Sequence, residues 1–295
     1  MLWVFTTLIA AAAQTARNAM QSSLTARLGT IGATQLRFLY GFPFALAFLA
    51  IVTLVAGEGA PGPNARFLAF TAGGAVAQIF GTALLLAAMQ LRSFSVATAF
   101  GKTEAVQVAI FGLLILGDVL TPLRAVAIVI ATAGVFLIAV KPGERWHSEA
   151  LRPALYGVAS GGLYAIAAVG FRGGILALDD GAFFLRATTT LVWSLGIQAA
   201  LLGVWMGAFD RENLLKSLTL WRQSLFAGFM GAFALQFWFL GFSLTSAANV
   251  RTLGLVEVLF AQVVSRRVFA EVASVRELAG MALVIAGVGV LLLAQ

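Results

Sequence analysis

Residues 95–140 read SVATAFGKTEAVQVAIFGLLILGDVLTPLRAVAIVIATAGVFLIAV. Residues 248–293 read ANVRTLGLVEVLFAQVVSRRVFAEVASVRELAGMALVIAGVGVLLL. The two stretches align without a gap, each residue of the second standing 153 positions after its counterpart in the first. Glu104 falls on Glu257, Asp118 on Glu271, Gly101 on Gly254, and Ala133-Gly134-Val135 on Ala286-Gly287-Val288. Just upstream, Leu91 falls on Leu244. Each copy reads as an apolar helix with a carboxylate inside it, an acidic turn, and a second helix with a patch of small residues. Duplicated apolar segments carrying an acid at membrane depth point to a transporter built from internal repeats.

Composition supports a membrane chain. Of 295 residues, 61% are apolar and only 11% charged, against about 25% charged in ordinary soluble domains. Apolar stretches of about 20 residues recur, the length that crosses a hydrocarbon core as a helix. Strands of a membrane barrel would be shorter and would alternate in polarity. The chain has no cysteine, which excludes disulfides, thiol catalysis and thiolate metal sites. The single histidine, His147, lies among Lys141, Glu144, Arg145 and Glu149 in the most polar loop. It reads as a solvated residue and not as a metal ligand. The net charge of +7 resides mostly in short loops, with no basic tract interleaved with aromatics, so nucleic acid is not expected as a partner. Met1 runs into Leu2-Trp3-Val4-Phe5 without a positive n-region, so this segment is expected to be a spanning helix and not a cleaved leader.

The expected fold class is an all-α membrane protein with ten spanning helices, over 2–21, 31–56, 66–90, 95–116, 122–140, 152–172, 181–206, 218–243, 246–268 and 274–293. The polar linker at 141–149 divides them five and five, giving repeats at 1–143 and 144–295. An odd number of helices makes the second repeat enter from the opposite face, so the repeats are expected to be inverted about an axis in the membrane plane. Arg37 and Arg186 match near the start of the second helix of each half. Loops after odd-numbered helices carry Arg27, Arg92, Lys141, Arg145, Arg152, Arg211, Lys216, Arg222, Arg266, Arg267 and Arg276. The other loops carry only Arg66, Arg124 and Arg172. Positive charge inside then places both termini outside the cytoplasm.

The leading site candidates are Glu104 and Glu257, each about 12–18 Å into its helix at 1.5 Å per residue. An acid there costs about 2.5–3.5 kcal/mol on insertion scales. One reading couples a proton exchanged on these carboxyls to substrate movement; the other makes them structural partners in ion pairs or hydrogen bonds. Lys102 and Arg251 are the candidate counter-charges. Lys102 and Glu104 are two apart and point to different helix faces. The crossed pairs Lys102–Glu257 and Arg251–Glu104 therefore fit better, the alternative being a cation left to hold a substrate carboxylate or phosphate. Gln14, Arg17, Asn18 and Gln21 form a polar stripe at helical spacing. Gln14 and Asn18 are expected in the cavity, with Arg17 and Gln21 able to snorkel to headgroups. Gln78, Gln107, Tyr164, Gln236, Asn249 and Gln262 are isolated polar groups at membrane depth, read as cavity lining or as cross-helix bonds. Arg37 and Arg186 suggest a shared structural role. The stripe Phe226, Phe229, Phe233 and Phe237 reads as packing or lipid-facing surface. Gly280, Ala282, Ala286 and Gly287 give the last helix a smooth face, for internal packing or a homodimer contact.

With these features the chain resembles the EamA-type members of the drug/metabolite transporter superfamily. The residues that carry the resemblance are Leu116-Gly117-Asp118 before Ala133-Gly134-Val135, and Phe269-Ala270-Glu271 before Ala286-Gly287-Val288. Where many members carry proline in the fourth and ninth helices, this chain has Glu104 and Glu257. The resemblance implies an inner-membrane carrier with a central cavity, working by alternating access. The expected function is a secondary carrier, exporting small amino-acid-like or drug-like metabolites and driven by proton exchange or by the substrate gradient. Its expected partners are a small-molecule substrate, the lipid bilayer and a proton, with no cofactor. The alternatives are a flippase for lipid-linked substrates and a non-transporting scaffold or receptor, which short loops disfavour. An enzyme is disfavoured by the lack of buried histidine, cysteine and clustered acids. An ATP-driven pump is disfavoured by the lack of a phosphate-binding G-x-x-x-x-G-K-S/T motif.

Overall fold

The computed structural model describes residues 1–91, 100–139, 151–219, 221–260, 262–263 and 274–294, with the side chains of 18–33, 89–91, 151, 153, 217–218 and 221–223 left aside. Among the described residues the regular structure is helical. The helices are α1 (Leu2–Ala56), α2 (Ala65–Leu91), α3 (Glu104–Phe111, closing in a wide π-type turn over Gly112–Leu116), α4 (Pro122–Ala139) and α5 (Leu151–Ala177). They continue with α6 (Phe183–Phe209), α7 (Arg211–Thr219), α8 (Trp221–Leu244), α9 (Ala247–Gly254) and α10 (Val275–Leu293). Seven described helical segments are long and apolar enough to cross a bilayer, and shorter apolar pieces accompany them. The chain is an all-α membrane protein.

Three expected boundaries change. Helical backbone runs through residues 22–30, where a break was expected between two spans. It still doubles back. A β-carbon on Gly231 would touch both Arg17 Cδ at 3.6 Å and Arg37 Cγ at 3.8 Å. Twenty residues of straight helix would hold those arginines about 30 Å apart. The limbs expected at 2–21 and 31–56 thus lie side by side against α8. The charged stretch after Asp210, expected to be a loop, forms α7. Glu212 and Lys216 pair across one turn at 2.6 Å, and Asn213 donates to Asp210 at 3.0 Å. Finally, the helices expected at 95–116 and 246–268 are not continuous, as described below.

Packing divides the chain into two units, residues 1–79 with 170–245 and residues 80–169 with 246–295. Each unit draws on both halves of the sequence. In the first, α8 meets the second limb of α1 at Gly228, where a β-carbon would lie 2.7 Å from Tyr40 backbone atoms. Gly170 likewise admits Phe70 O and Gly74. The guanidinium of Arg172 donates to Phe242 O at 2.6 Å and to Thr245 O, satisfying carbonyls at the end of α8. Phe229, Phe233 and Phe237 stack in sequence along α8, and Phe44 packs edge-on to Phe229 at 5.3 Å. Phe226 at the head of the stripe is exposed. The other three rings of the stripe are half-buried.

In the second unit, α4 and α10 cross at their small residues. A β-carbon on Gly134 would lie 2.6 Å from Gly280 O, and one on Gly287 would lie 2.8 Å from Ala127 O. The two contacts are one contact seen twice, because the repeat alignment carries Gly134 onto Gly287 and Ala127 onto Gly280. One index rises as the other falls, so the helices are antiparallel. The two-fold relating them lies across their axes, which is in the membrane plane for spanning helices. Arg124 at the head of α4 donates to Ala294 O at 3.4 Å, and Arg276 at the head of α10 donates to Leu137 O at 3.0 Å. Each arginine meets the carbonyl end of the other helix, where a cation is favoured. Of the small residues on the last helix, Gly280 and Gly287 are used here, inside the unit, while Ala282 and Ala286 are exposed. Ser274 and Glu277 close a reciprocal cap at the start of α10.

Gly134→Ala or Gly280→Ala forces this crossing apart. Each is expected to lower the melting temperature of the purified protein in detergent, at an overpacking cost of about 1–3 kcal/mol. Gly289 has open space where its β-carbon would stand, so Gly289→Ala should leave the melting temperature unchanged or slightly raised, since alanine is the better helix former.

Candidate functional site

The two candidate acids each begin a helix that has just been interrupted. Before Glu104, regular helical bonding gives way to tight i→i−3 bonds: Thr103 N–H to Phe100 O at 3.2 Å, Ala105 to Lys102 O at 3.3 Å, and Val106 to Thr103 O at 3.1 Å. Regular bonding resumes with Gln107 to Thr103 O at 3.1 Å. The second copy repeats every one of these bonds at the equivalent residues. Val256 donates to Leu253 O at 3.1 Å, Val258 to Leu255 O at 3.1 Å, Leu259 to Val256 O at 2.9 Å, and Phe260 resumes with Val256 O at 3.2 Å. Lys102-Thr103 and Leu255-Val256 are therefore equivalent two-residue breaks, with Glu104 and Glu257 directly after them.

No proline makes these breaks. Gly101 and Gly254 immediately precede them, and glycine is the weakest helix former after proline. Thr103 adds a side-chain bond to Phe100 O at 2.6 Å, a local competitor to helical bonding. Packing completes the first break. Gly161 of α5 faces Gly101 O, where its β-carbon would stand at 2.8 Å, and Glu104 N at 3.1 Å. Only a glycine lets α5 approach so closely. Gln107 then ties the restarted helix to both neighbours, donating to Thr103 Oγ1 at 2.9 Å and to Val158 O at 3.1 Å.

The four candidate charges meet in crossed pairs. Lys102 Nζ contacts Glu257 Oε1, and Arg251 Nε lies 3.0 Å from Glu104 Oε1. Each acid takes its cation from the other repeat. All four side chains are largely buried, between 10% and 18% exposed, so the cluster is close to neutral where bare charge is expensive. The helix ends add to this. Glu104 stands in the first turn of α3 and Arg251 in the last turn of α9, the ends that favour an anion and a cation respectively.

The remaining candidates divide between the units. Asn249 is buried on α9, its N–H bonded to Ser246 Oγ at 3.3 Å. The hydroxyl of Tyr164 pairs with that of Thr82 at 2.9 Å. With Gln107, these two belong to the unit that holds the ion pairs. Gln14 and Gln78 belong to the other unit. Gln14 Oε1 accepts from Trp238 Nε1 at 3.1 Å, and Gln78 Oε1 accepts from Gln198 Nε2 at 2.7 Å. Gln236 donates to Thr188 Oγ1 at 2.7 Å. Arg17 is buried beside Gly231 with Arg37, away from a headgroup-facing position. The side chains of Asn18, Gln21, Arg27 and Arg222 lie outside the described residues, as do Arg92, residues 141–149 with His147, and Arg266 to Glu271. Of the acidic turns, the first is described: Asp118 N–H bonds to Gly112 O at 3.1 Å after Gly117, which holds a left-handed φ of 69°. The paired breaks were missed by sequence reasoning. The alignment of Gly101 with Gly254 was their one visible signal.

Comparison with known proteins agrees with this architecture. One crystal structure of another protein superposes with a TM-score of 0.73 over 100% of this chain and 98% of its own, at 15% identity. At that identity the likeness is one of fold. No curated protein sequence matches the chain. Residues 1–140 match the EamA-like transporter family. That match takes in the first break with Lys102 and Glu104, and the second half of the chain lies beyond it.

Proposed function

We propose that this protein is a secondary carrier of the drug/metabolite transporter type. It exports small metabolites by alternating access between two inverted repeats, residues 1–143 and 144–295, and it is not an enzyme. Glu104 and Glu257 are the candidate coupling or gating acids, with Arg251 and Lys102 as their counter-charges. Gln107, Asn249, Tyr164, Gln14, Gln78 and Asn18 are the polar residues assigned to substrate passage, the side chain of Asn18 lying outside the described residues. The observation that carries this reading is the pair of crossed ion pairs set on two equivalent helix breaks. Interrupted spanning helices free backbone groups and place helix ends at membrane depth, the usual construction of ion and substrate sites in carriers. An intramembrane ion pair is also a two-state element, closed when paired and open when a proton or substrate replaces one partner.

Stability and transport separate in one experiment. Glu257→Met alone leaves Lys102 charged and buried, and is expected to cost about 3–5 kcal/mol of stability. Lys102→Met with Glu257→Met removes both charges and should recover the melting temperature. In proteoliposomes, the metabolite that most raises the wild-type melting temperature in a screen should be taken up by wild type and not by the refolded double variant. Full uptake by the double variant would make the pair a structural brace and reject the coupling role.

We also infer that the protein lies in the inner membrane with both termini on the extracytoplasmic side, because the loops after the odd-numbered of the ten spans expected from sequence hold most of the loop lysine and arginine. A C-terminal alkaline phosphatase fusion is expected to be active and a C-terminal fluorescent protein dark. The reverse pattern contradicts this orientation.

A further inference from the structure

We propose that the two ion pairs are unequal: Lys102–Glu257 is the pair that exchanges a proton and opens, while Arg251–Glu104 is a fixed brace. This rests on the carrier reading above and assigns its coupling step to one repeat. The acids occupy equivalent positions, each directly after a helix break, but the cations do not. Lys102 sits in the break itself, on the tight turn. Arg251 sits within regular helix, in the last turn of α9. At the position equivalent to Lys102 stands Leu255, and at that equivalent to Arg251 stands Thr98. The repeat preserved the acids and the backbone, and each half found its own cation.

Chemistry then separates the two pairs. Pulling an ion pair apart in an apolar interior leaves two lone charges, unless a proton moves first. A lysine ammonium can release a proton, whereas a guanidinium in a protein does not. In the Lys102–Glu257 pair one Nζ–H bond breaks, its electron pair stays on nitrogen, and an O–H bond forms on Glu257 Oε1. Both partners become neutral and can part. Loss of that proton from Glu257 to water, and uptake of another by Lys102 from water, restores the pair with one proton moved. The Arg251–Glu104 pair has no such route and stays closed through the cycle.

Among the described residues, other charged and titratable groups on the neighbouring elements have partners or positions of their own. On α4, Arg124 is held by Ala294 O and Val119 O. On α10, Arg276 is held by Leu137 O, and Glu277 closes the cap with Ser274. On α5, which crosses the first break at Gly161, the Tyr164 hydroxyl is engaged by Thr82. Tyr156 and Arg152 lie toward the start of that helix, and Arg172 is held at the end of α8.

Infrared spectroscopy of the protein in liposomes at constant neutral pH, read as the difference between light and heavy water without any added substrate, tests the assignment. Wild type is expected to show an exchangeable protonated-carboxyl band that Glu104→Gln keeps and Glu257→Gln loses. Two charge-preserving variants guard against misfolding. Lys102→Arg should lose the band, and Arg251→Lys should add a second one. A band lost in Glu104→Gln and kept in Glu257→Gln overturns the inference, as does a band unchanged in Lys102→Arg. Because the band is read without transport, the two proposals fail separately. An intact band pattern in a protein that transports nothing rejects the carrier reading alone. Transport with the wrong band pattern rejects this inference alone.

Discussion

A carboxylate at membrane depth must find a cation within the protein, since the surrounding hydrocarbon offers none. Glu104 and Glu257 impose that requirement twice, and the unit around them is arranged to meet it. Lys102 cannot serve the acid two residues away on its own helix. It serves Glu257 instead, and Arg251 serves Glu104. In both described pairs the acid and its cation come from different halves of the sequence. The glycines at 134, 280 and 287 bring α4 and α10 into direct backbone contact, and Gly161 brings α5 onto the first break. These small residues set the distances across which the charges meet.

Backbone and chemistry carry the duplication to different degrees. The tight hydrogen bonds at the two breaks repeat residue for residue, and so does the crossing of α4 with α10. The cations do not repeat. A symmetric scaffold with asymmetric charges can open at one place and hold at another, which a strictly symmetric one could not. Such a scaffold suits a carrier, in which one element must move while its equivalent maintains the fold.

Much of this was legible in the sequence, for identifiable reasons. Membrane spans follow from the length of apolar runs, and the acids stand out because charge is rare in such runs. The crossed pairing was readable because two-residue spacing on a helix excludes the direct pair. The breaks were not readable in the same way. Glycine before Lys102 and before Leu255 is permissive, and only the contact of Gly161 with Gly101 O and Glu104 N turns permission into structure. The helical backbone at residues 22–30 was equally hidden, because no local signal there marks it. At Asp210-Arg211-Glu212 the charges suggested a loop. An i,i+4 pair between Glu212 and Lys216 instead supports a short helix. Gln14 was read from a polar stripe at helical spacing and Gln78 as cavity lining or a cross-helix bond, and their bonds to Trp238 and Gln198 lie within the unit that does not hold the ion pairs.

The crossed pairing itself is open to direct measurement with all native charges in place. Solid-state NMR of the protein in lipid bilayers can read dipolar coupling between side-chain nitrogens and glutamate carboxyl carbons. Lys102 Nζ should couple to the carboxyl carbon of Glu257, and the Arg251 guanidinium to that of Glu104. Coupling of Lys102 to Glu104, or of neither cation to either acid, would contradict the account.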